Sequence, residues 1–246
     1  MTKTIYLLNI NDFAPELTKI TYPLIQLYAK RIGATVEKIT ERKFPQYPVT
    51  YEKLQIYERA KLNGSDWNLY IDSDTLIHPE CPDYTIYLPM GTVSFHASDN
   101  SVTRFRPTDE FMRDGRFLAP GNWFMIASRL CLDLWHPIPM TAEKAISNIT
   151  PTVKELEHGI QAEHLIDDYA LAYNISRYGL RFKSFIDINK ELKIGEPLQH
   201  QYLMTIPEKI AFLKRQIVTW GIESYFPDET LPTAEEVKQW QQSING

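Results

Sequence analysis

Asp72 and Asp74 flank Ser73 directly after the apolar run Trp67-Asn-Leu-Tyr-Ile71. In an extended segment, side chains two positions apart point the same way, so this spacing lets both carboxylates face one site. Hard oxygen ligands of this kind suit Mg²⁺ or Mn²⁺, and such an ion can in turn hold a diphosphate. The same residues would also serve as an acidic loop that ends a strand and caps the next element. The apolar strand before the pair and Thr75-Leu-Ile77 after it favour the metal-binding reading. In open α/β sheets, ligands gather beyond the carboxyl ends of the strands.

Positioning such a pair requires a sheet, and the flanking sequence supplies one. Thr4 to Ile10 reads as a buried first strand, closed by Asn9-Ile-Asn-Asp12. Ile20, Leu24, Ile25, Leu27 and Tyr28 recur at helical spacing until Gly33 ends the pattern. Ala34 to Ile39 is a second strand, and a helix from Tyr51 to Leu62 is closed by Asn63-Gly64. Strand, helix, strand, helix, strand at these spacings predicts an α/β fold with a mostly parallel central sheet. Further along, Thr92 to His96, Asn122 to Ala127 and Arg181 to Phe185 read as strands. Ser128 is expected to open a short helix that ends at His136-Pro137, and Asp167 to Tyr178 a longer one that ends at Gly179. Capping boxes at Thr205-x-x-Glu208 and Thr233-x-x-Glu236 predict two C-terminal helices. With no internal repeat and no linker, residues 1–246 are expected to form one domain. It divides into a part to about residue 77, a part to about residue 204, and a helical tail from about residue 205.

Composition narrows the class. Among 246 residues, 43% are hydrophobic, enough for a core without disulfides or a structural metal. The formal charge of -5 and pI near 5.7 give no electrostatic reason to bind nucleic acid or an anionic membrane. Cys81 and Cys131 stand too few and too far apart for a disulfide-stapled secreted domain, so both are read as buried free thiols. No run reaches the ~20 apolar residues that span a bilayer. The N-terminal apolar run lacks the features of a signal peptide, and a cytoplasmic protein without a transmembrane segment is expected.

The segment Ser65 to Ile77, with the helix beginning Tyr51-Glu-Lys-Leu-Gln-Ile-Tyr57 before it, resembles the DxD region of the GT-A-fold glycosyltransferases. Three later segments fall in that family's order. Ala119-Pro-Gly121-Asn122-Trp-Phe-Met-Ile resembles its glycine-containing loop near the donor sugar. Leu165-Ile-Asp167-Asp168-Tyr-Ala-Leu resembles its xED segment, with Asp167 in place of glutamate. Leu198-Gln-His200-Gln-Tyr resembles the late histidine that completes the metal site. The resemblance runs in order over roughly residues 4 to 204, although each motif is short.

The resemblance implies a GT-A-like fold, with a nucleotide-binding half to about residue 77 and a donor-sugar and acceptor half to about 204. It implies transfer of a sugar from a nucleoside-diphosphate sugar, UDP- or GDP-linked, to a saccharide or other hydroxyl acceptor. It implies Mn²⁺ or Mg²⁺ held by Asp72, Asp74 and His200, with Asp74 a direct ligand. Leu8, Asn9, Ile10, Tyr51, Lys53, Ser73, Gly121, Asn122 and Asp167 are the further donor-binding candidates. Two acids at a helix start also suit the helix dipole, which serves as well for Asp167; Asp168 is the candidate catalytic base. If the reaction inverts the anomeric centre, Asp168 takes the acceptor's proton. If it retains configuration, the departing phosphate takes it and Asp168 positions the sugar. Arg104, Arg106, Arg113 and Arg116 are candidates to close over the diphosphate, or else belong to a solvated loop.

Other classes fit less well. Asp72-x-Asp74-Thr-Leu resembles the nucleophile motif of haloacid-dehalogenase-type phosphatases, but it comes too late in the chain, and Leu76 stands where that family has threonine. A sugar-1-phosphate nucleotidyltransferase would carry a basic, glycine-rich loop where Asn9-Ile-Asn-Asp12 stands. A non-catalytic nucleotide-sugar or carbohydrate-binding protein of the same fold is separated from the enzyme by donor hydrolysis or transfer.

Overall fold

Six strands form the central sheet of the computed structural model, which describes residues 1–96, 121–201 and 203–245. They are β1 (Lys3–Leu8), β2 (Ala34–Ile39), β3 (Trp67–Ile71), β5 (Thr92–His96), β6 (Gly121–Ser128) and β7 (Arg181–Ser184), in the order β2-β1-β3-β6-β5-β7. β1 pairs in parallel with both β2 and β3, and β5 with β7. β6 runs against both its neighbours, β3 and β5. The sheet is thus mostly parallel, as expected, with one reversed strand that the sequence pattern did not reveal. A two-residue ladder, β4 (Leu76–Ile77) against β8 (Leu198–Gln199), stands apart from it.

Alternation along the strands fills two cores. Ile5, Leu7, Leu69, Ile71, Phe124 and Ile126 pack on one face with α1 (Pro15–Ile32), whose Ile25 and Tyr28 lie in the same cluster. Tyr6, Tyr70, Met125 and Ala127 face the other way, toward Ile56 and Ala60 of α2 (Ile56–Asn63) and Leu171 and Ile175 of α5 (Ile166–Arg177). Every residue of β3 is buried, as befits a central strand covered on both faces. Gly33 and Gly64 end α1 and α2 in the left-handed conformation, where glycine carries no Cβ penalty.

Several local expectations are corrected. The helix expected from Tyr51 begins as a 3₁₀ turn, Val49–Gln55, and only then becomes α2. Ser128 closes β6 instead of opening a helix, and a 3₁₀ turn follows at Leu132–Trp135. Phe185 leaves the strand, because the Ser184 side chain accepts from the Ile186 amide and starts α6 (Phe185–Leu192). Short helices α3 (Ala142–Ile146) and α4 (Val153–Glu157) had no clear periodic signal, each being little more than one turn.

The capping box at Thr205 and Glu208 opens α7 (Ile206–Trp220), and the one at Thr233 and Glu236 precedes α8 (Ala234–Asn245). Leu213 and Ile217 of α7 pack with Leu17, Ile20 and Leu24 of α1 and Leu76 of β4, so α7 is seated on the body of the fold. Cys81 and Cys131 are free and buried, as read from the sequence. Among the described residues, no helix is long and apolar enough to cross a membrane.

Candidate active site

The Asp72–Asp74 segment leaves β3 as a turn, not as the extended segment its spacing suggested. The Asp72 amide donates to the Trp123 carbonyl at 2.8 Å, one residue beyond the last β3–β6 pair. The Thr75 amide then closes back on the Asp72 carbonyl at 3.0 Å. The Ser73 carbonyl accepts from Thr21 Oγ1 on α1 at 2.5 Å, which pins the middle of the turn. Both carboxylates nevertheless reach one imidazole: His200 Nε2 lies 3.2 Å from Asp74 Oδ1 and 3.7 Å from Asp72 Oδ2.

The short ladder explains that meeting. Leu76 pairs with Gln199 in antiparallel register, so His200 falls beside Thr75 and next to Asp74. The His200 ring stacks on Trp123 at 5.4 Å and 9° between planes, which sets its orientation. Asp72, Asp74 and His200 each offer a ligand atom within 4.8 Å of one another. Two carboxylate oxygens and one imidazole nitrogen so close together suit a divalent cation of the Mn²⁺ or Mg²⁺ kind.

Two lysines balance the acids. Lys53 Nζ lies 2.7 Å from Asp167 Oδ2 and 3.2 Å from Asp72 Oδ1, with its side chain 4% exposed. Burial alone would lower the Lys53 ammonium, but Asp167 and Asp72 reverse that and raise it above the ordinary lysine range. Its ammonium also lies 4.9 Å from the centre of the Tyr70 ring. The Tyr70 hydroxyl donates to Asp72, and burial, then Asp72, pushes its pKa far upward, so it stays a donor.

Glu52 fixes the turn that aims Lys53 inward. Fully buried, it takes Arg42 Nε at 2.7 Å, the Lys43 and Phe44 amides, and Gln55 Nε2. Lys209, from α7, contacts Asp74 Oδ2, the carboxylate oxygen other than the one nearest His200. Burial pushes the Asp74 carboxyl upward, yet His200 and Lys209 outweigh it and hold the group well below the usual carboxylate range.

Most of the residues singled out in the sequence meet here. Asn122 Nδ2 donates to Asp167 Oδ2, which links β6 to the start of α5. Asp167 Oδ1 is buried and has no hydrogen-bond partner among the described residues. Asp168 is also buried, and its charge helps to raise Lys53. Gly121 is required by its own fold: a Cβ there would lie 2.5 Å from the His96 carbonyl oxygen, so the close backbone approach is to β5.

Tyr51 is not part of the cluster. It is buried among apolar side chains, stacked on Tyr47 at 3.8 Å, and its hydroxyl accepts from the Ile138 amide. Leu8, Asn9 and Ile10 lie at the end of β1. Asn9 Oδ1 is buried without a partner among the described residues. The residue lines a cleft of about 340 Å³ with Asp12, Tyr22, Gln26 and Lys38. Arg104, Arg106, Arg113 and Arg116, like Ala119 and Pro120, lie outside the described residues. Sequence reasoning missed Lys209, Trp123, Tyr70 and Glu52. Of these, only Lys209 sat outside every quoted segment.

No protein-family model matches this sequence, and no curated protein matches it. Among solved structures, a glycosyltransferase involved in the glycosylation of the major capsid of PBCV-1 is similar, with a TM-score of 0.51 and 10% identity. The similarity covers 87% of this chain and 99% of that one. At that identity the likeness is one of fold.

Proposed function

We propose that this chain is a single-domain, GT-A-like, metal-assisted glycosyltransferase that moves a sugar from a nucleoside-diphosphate sugar to an acceptor hydroxyl. The observation that carries this reading is the convergence of Asp72, Asp74 and His200 beyond a β-strand end, in a chain folded like a known glycosyltransferase. Asp72, Asp74 and His200 would hold Mn²⁺ or Mg²⁺, and the ion's chemistry is to offset the charge that grows on the leaving diphosphate. The cleft beside Asn9 supports a nucleoside end there, since Thr18 and Tyr22 line it from the same helix whose Thr21 pins the turn at Ser73. The unpartnered Asp167 Oδ1 supports a hydrogen bond from a donor-sugar hydroxyl, because a buried carboxylate oxygen without a donor is costly. Asn122 and Lys53 keep the other oxygen of that carboxylate in place.

The experiment is a thermal-shift panel of UDP-, GDP- and dTDP-sugars with and without Mn²⁺. A matching donor at a hundredfold excess over Kd adds about 2.7 kcal/mol of stability, or roughly 5–10 °C for a chain of this size. The gain should disappear when EDTA removes the metal. If no donor raises the melting point with Mn²⁺ present, the reading is wrong.

Asp168 remains the proposed base for an inverting reaction, or the positioning group for a retaining one. Asp168→Asn is expected to lower the transfer rate by about 10²-fold or more and to leave the melting temperature nearly unchanged. Asp167→Asn is expected to lower the rate less, because the amide oxygen can still accept a hydrogen bond, and to lower stability as well, since it leaves buried Lys53 with one carboxylate fewer within ion-pair distance. Turnover and melting curves for both variants separate these effects. Mild, equal losses of rate in the two would assign both acids to the helix start alone.

A further inference from the structure

Lys209 stands where local electrostatics disfavour it. It lies in the first turn of α7, one residue after the capping Glu208, at the helix end that repels cations. Its ammonium nevertheless contacts Asp74, with the two side chains only 12% and 9% exposed. The docking of α7 on α1 and β4 holds it there, through Leu213 and Ile217 against Leu17, Ile20 and Leu76. Asp74 is thereby shared between His200 on one oxygen and Lys209 on the other. At the start of the same turn, Lys53 balances Asp72 at 3.2 Å.

We propose that Lys209 is a resident counter-cation of Asp74 that exchanges this carboxylate for a phosphate oxygen when a divalent cation and a diphosphate bind together. The proposal rests on the metal reading given above and adds a coupling to it. A divalent cation arriving alone competes with Lys209 for the charge of Asp74, and it sets a second positive charge beside a mostly buried ammonium. Both consequences are unfavourable. A diphosphate arriving with the cation gives the ammonium a new anionic partner, and charge-assisted bonds to phosphate are among the stronger hydrogen bonds. Metal and diphosphate therefore favour each other's binding, and the coupling is reciprocal. The chain would hold its metal weakly until the donor's diphosphate is present.

The test measures Mn²⁺ binding from the free-ion electron paramagnetic resonance signal, with inorganic pyrophosphate as the second probe. Wild type, Lys209→Gln, Lys209→Arg and Asp74→Asn are compared, each checked for folding by its melting curve. Lys209→Gln is expected to bind Mn²⁺ alone roughly tenfold more tightly than wild type, equivalent to about 1.4 kcal/mol. The Mn²⁺-loaded Gln variant should bind pyrophosphate more weakly than loaded wild type does. Lys209→Arg keeps a cation at the position and should stay near wild type in both measurements. Unchanged or weaker Mn²⁺ binding in Lys209→Gln overturns the exchange while leaving the metal reading intact. If wild type and Asp74→Asn bind Mn²⁺ equally poorly even with pyrophosphate, the metal reading fails and the exchange falls with it.

Discussion

Asp74→Asn is expected to lower metal-supported transfer by about 10²–10³-fold, the scale of losing one well-placed electrostatic group at a reacting centre. The substitution keeps the shape of the side chain and removes the charge that His200 and Lys209 both face. His200→Ala should act differently. On the metal reading it removes one nitrogen ligand and leaves both carboxylates, so the Mn²⁺ concentration for half-maximal activity rises while turnover at saturating metal falls less. The checks are turnover against Mn²⁺ concentration, with a melting curve to confirm that each variant is folded. Full wild-type activity in excess EDTA would remove the basis for both expectations.

The second large effect belongs to Lys53. Lys53→Met should destabilise the protein by about 3–5 kcal/mol, because it leaves the buried Asp167 carboxylate without its ion-pair partner. For a chain of this length that is on the order of a 10 °C fall in melting temperature. Adding Asp167→Asn to Lys53→Met should recover part of the loss, because the second change removes the stranded charge.

The two ionisations respond to pH in opposite senses. Lys53 is held above its ordinary range, so its contribution is complete below the unfolded lysine value and fades only as pH rises through the raised one. Asp74 is held below the carboxylate range, so its contribution is present above the unfolded value and is lost only as pH falls through the lowered one. Melting curves across pH for wild type and Lys53→Met would read the alkaline limb directly.

Much of this site was legible in the sequence because its parts sit at ends of strongly patterned elements. Asp72 and Asp74 follow a wholly buried strand, Asn122 stands at the start of β6, and Asp167 opens α5. Element ends in an α/β sheet share one edge, so residues distant in sequence arrive together. His200 was reached through a motif resemblance, and the physical agent that delivers it is a ladder too short to carry a periodic signal.

What remained hidden depends on orientation or on tertiary packing. Tyr51 and Lys53 are two positions apart, yet the 3₁₀ turn sends one into an apolar cluster and the other to the acids. The reversal of β6 was hidden because a buried apolar run carries no direction. Lys209 had no local mark except an unfavourable place in its helix, and its meaning appears only once α7 is docked.

The two-residue clasp between β4 and β8 also governs when the site can exist during folding. Asp74 and Lys209 are 135 positions apart, and His200 reaches the turn through a ladder whose two strands are similarly distant in sequence. Closing so long a loop is among the slower steps available to a folding chain. The β1–β3 sheet can therefore assemble while the cation site is still in two pieces. On the metal reading, an ion bound there could not serve as a nucleus for this fold; it could only lock the finished one. Metal-dependent protection from unfolding would then report completion of the whole chain, and a nascent chain stopped before Leu198 should show none of it.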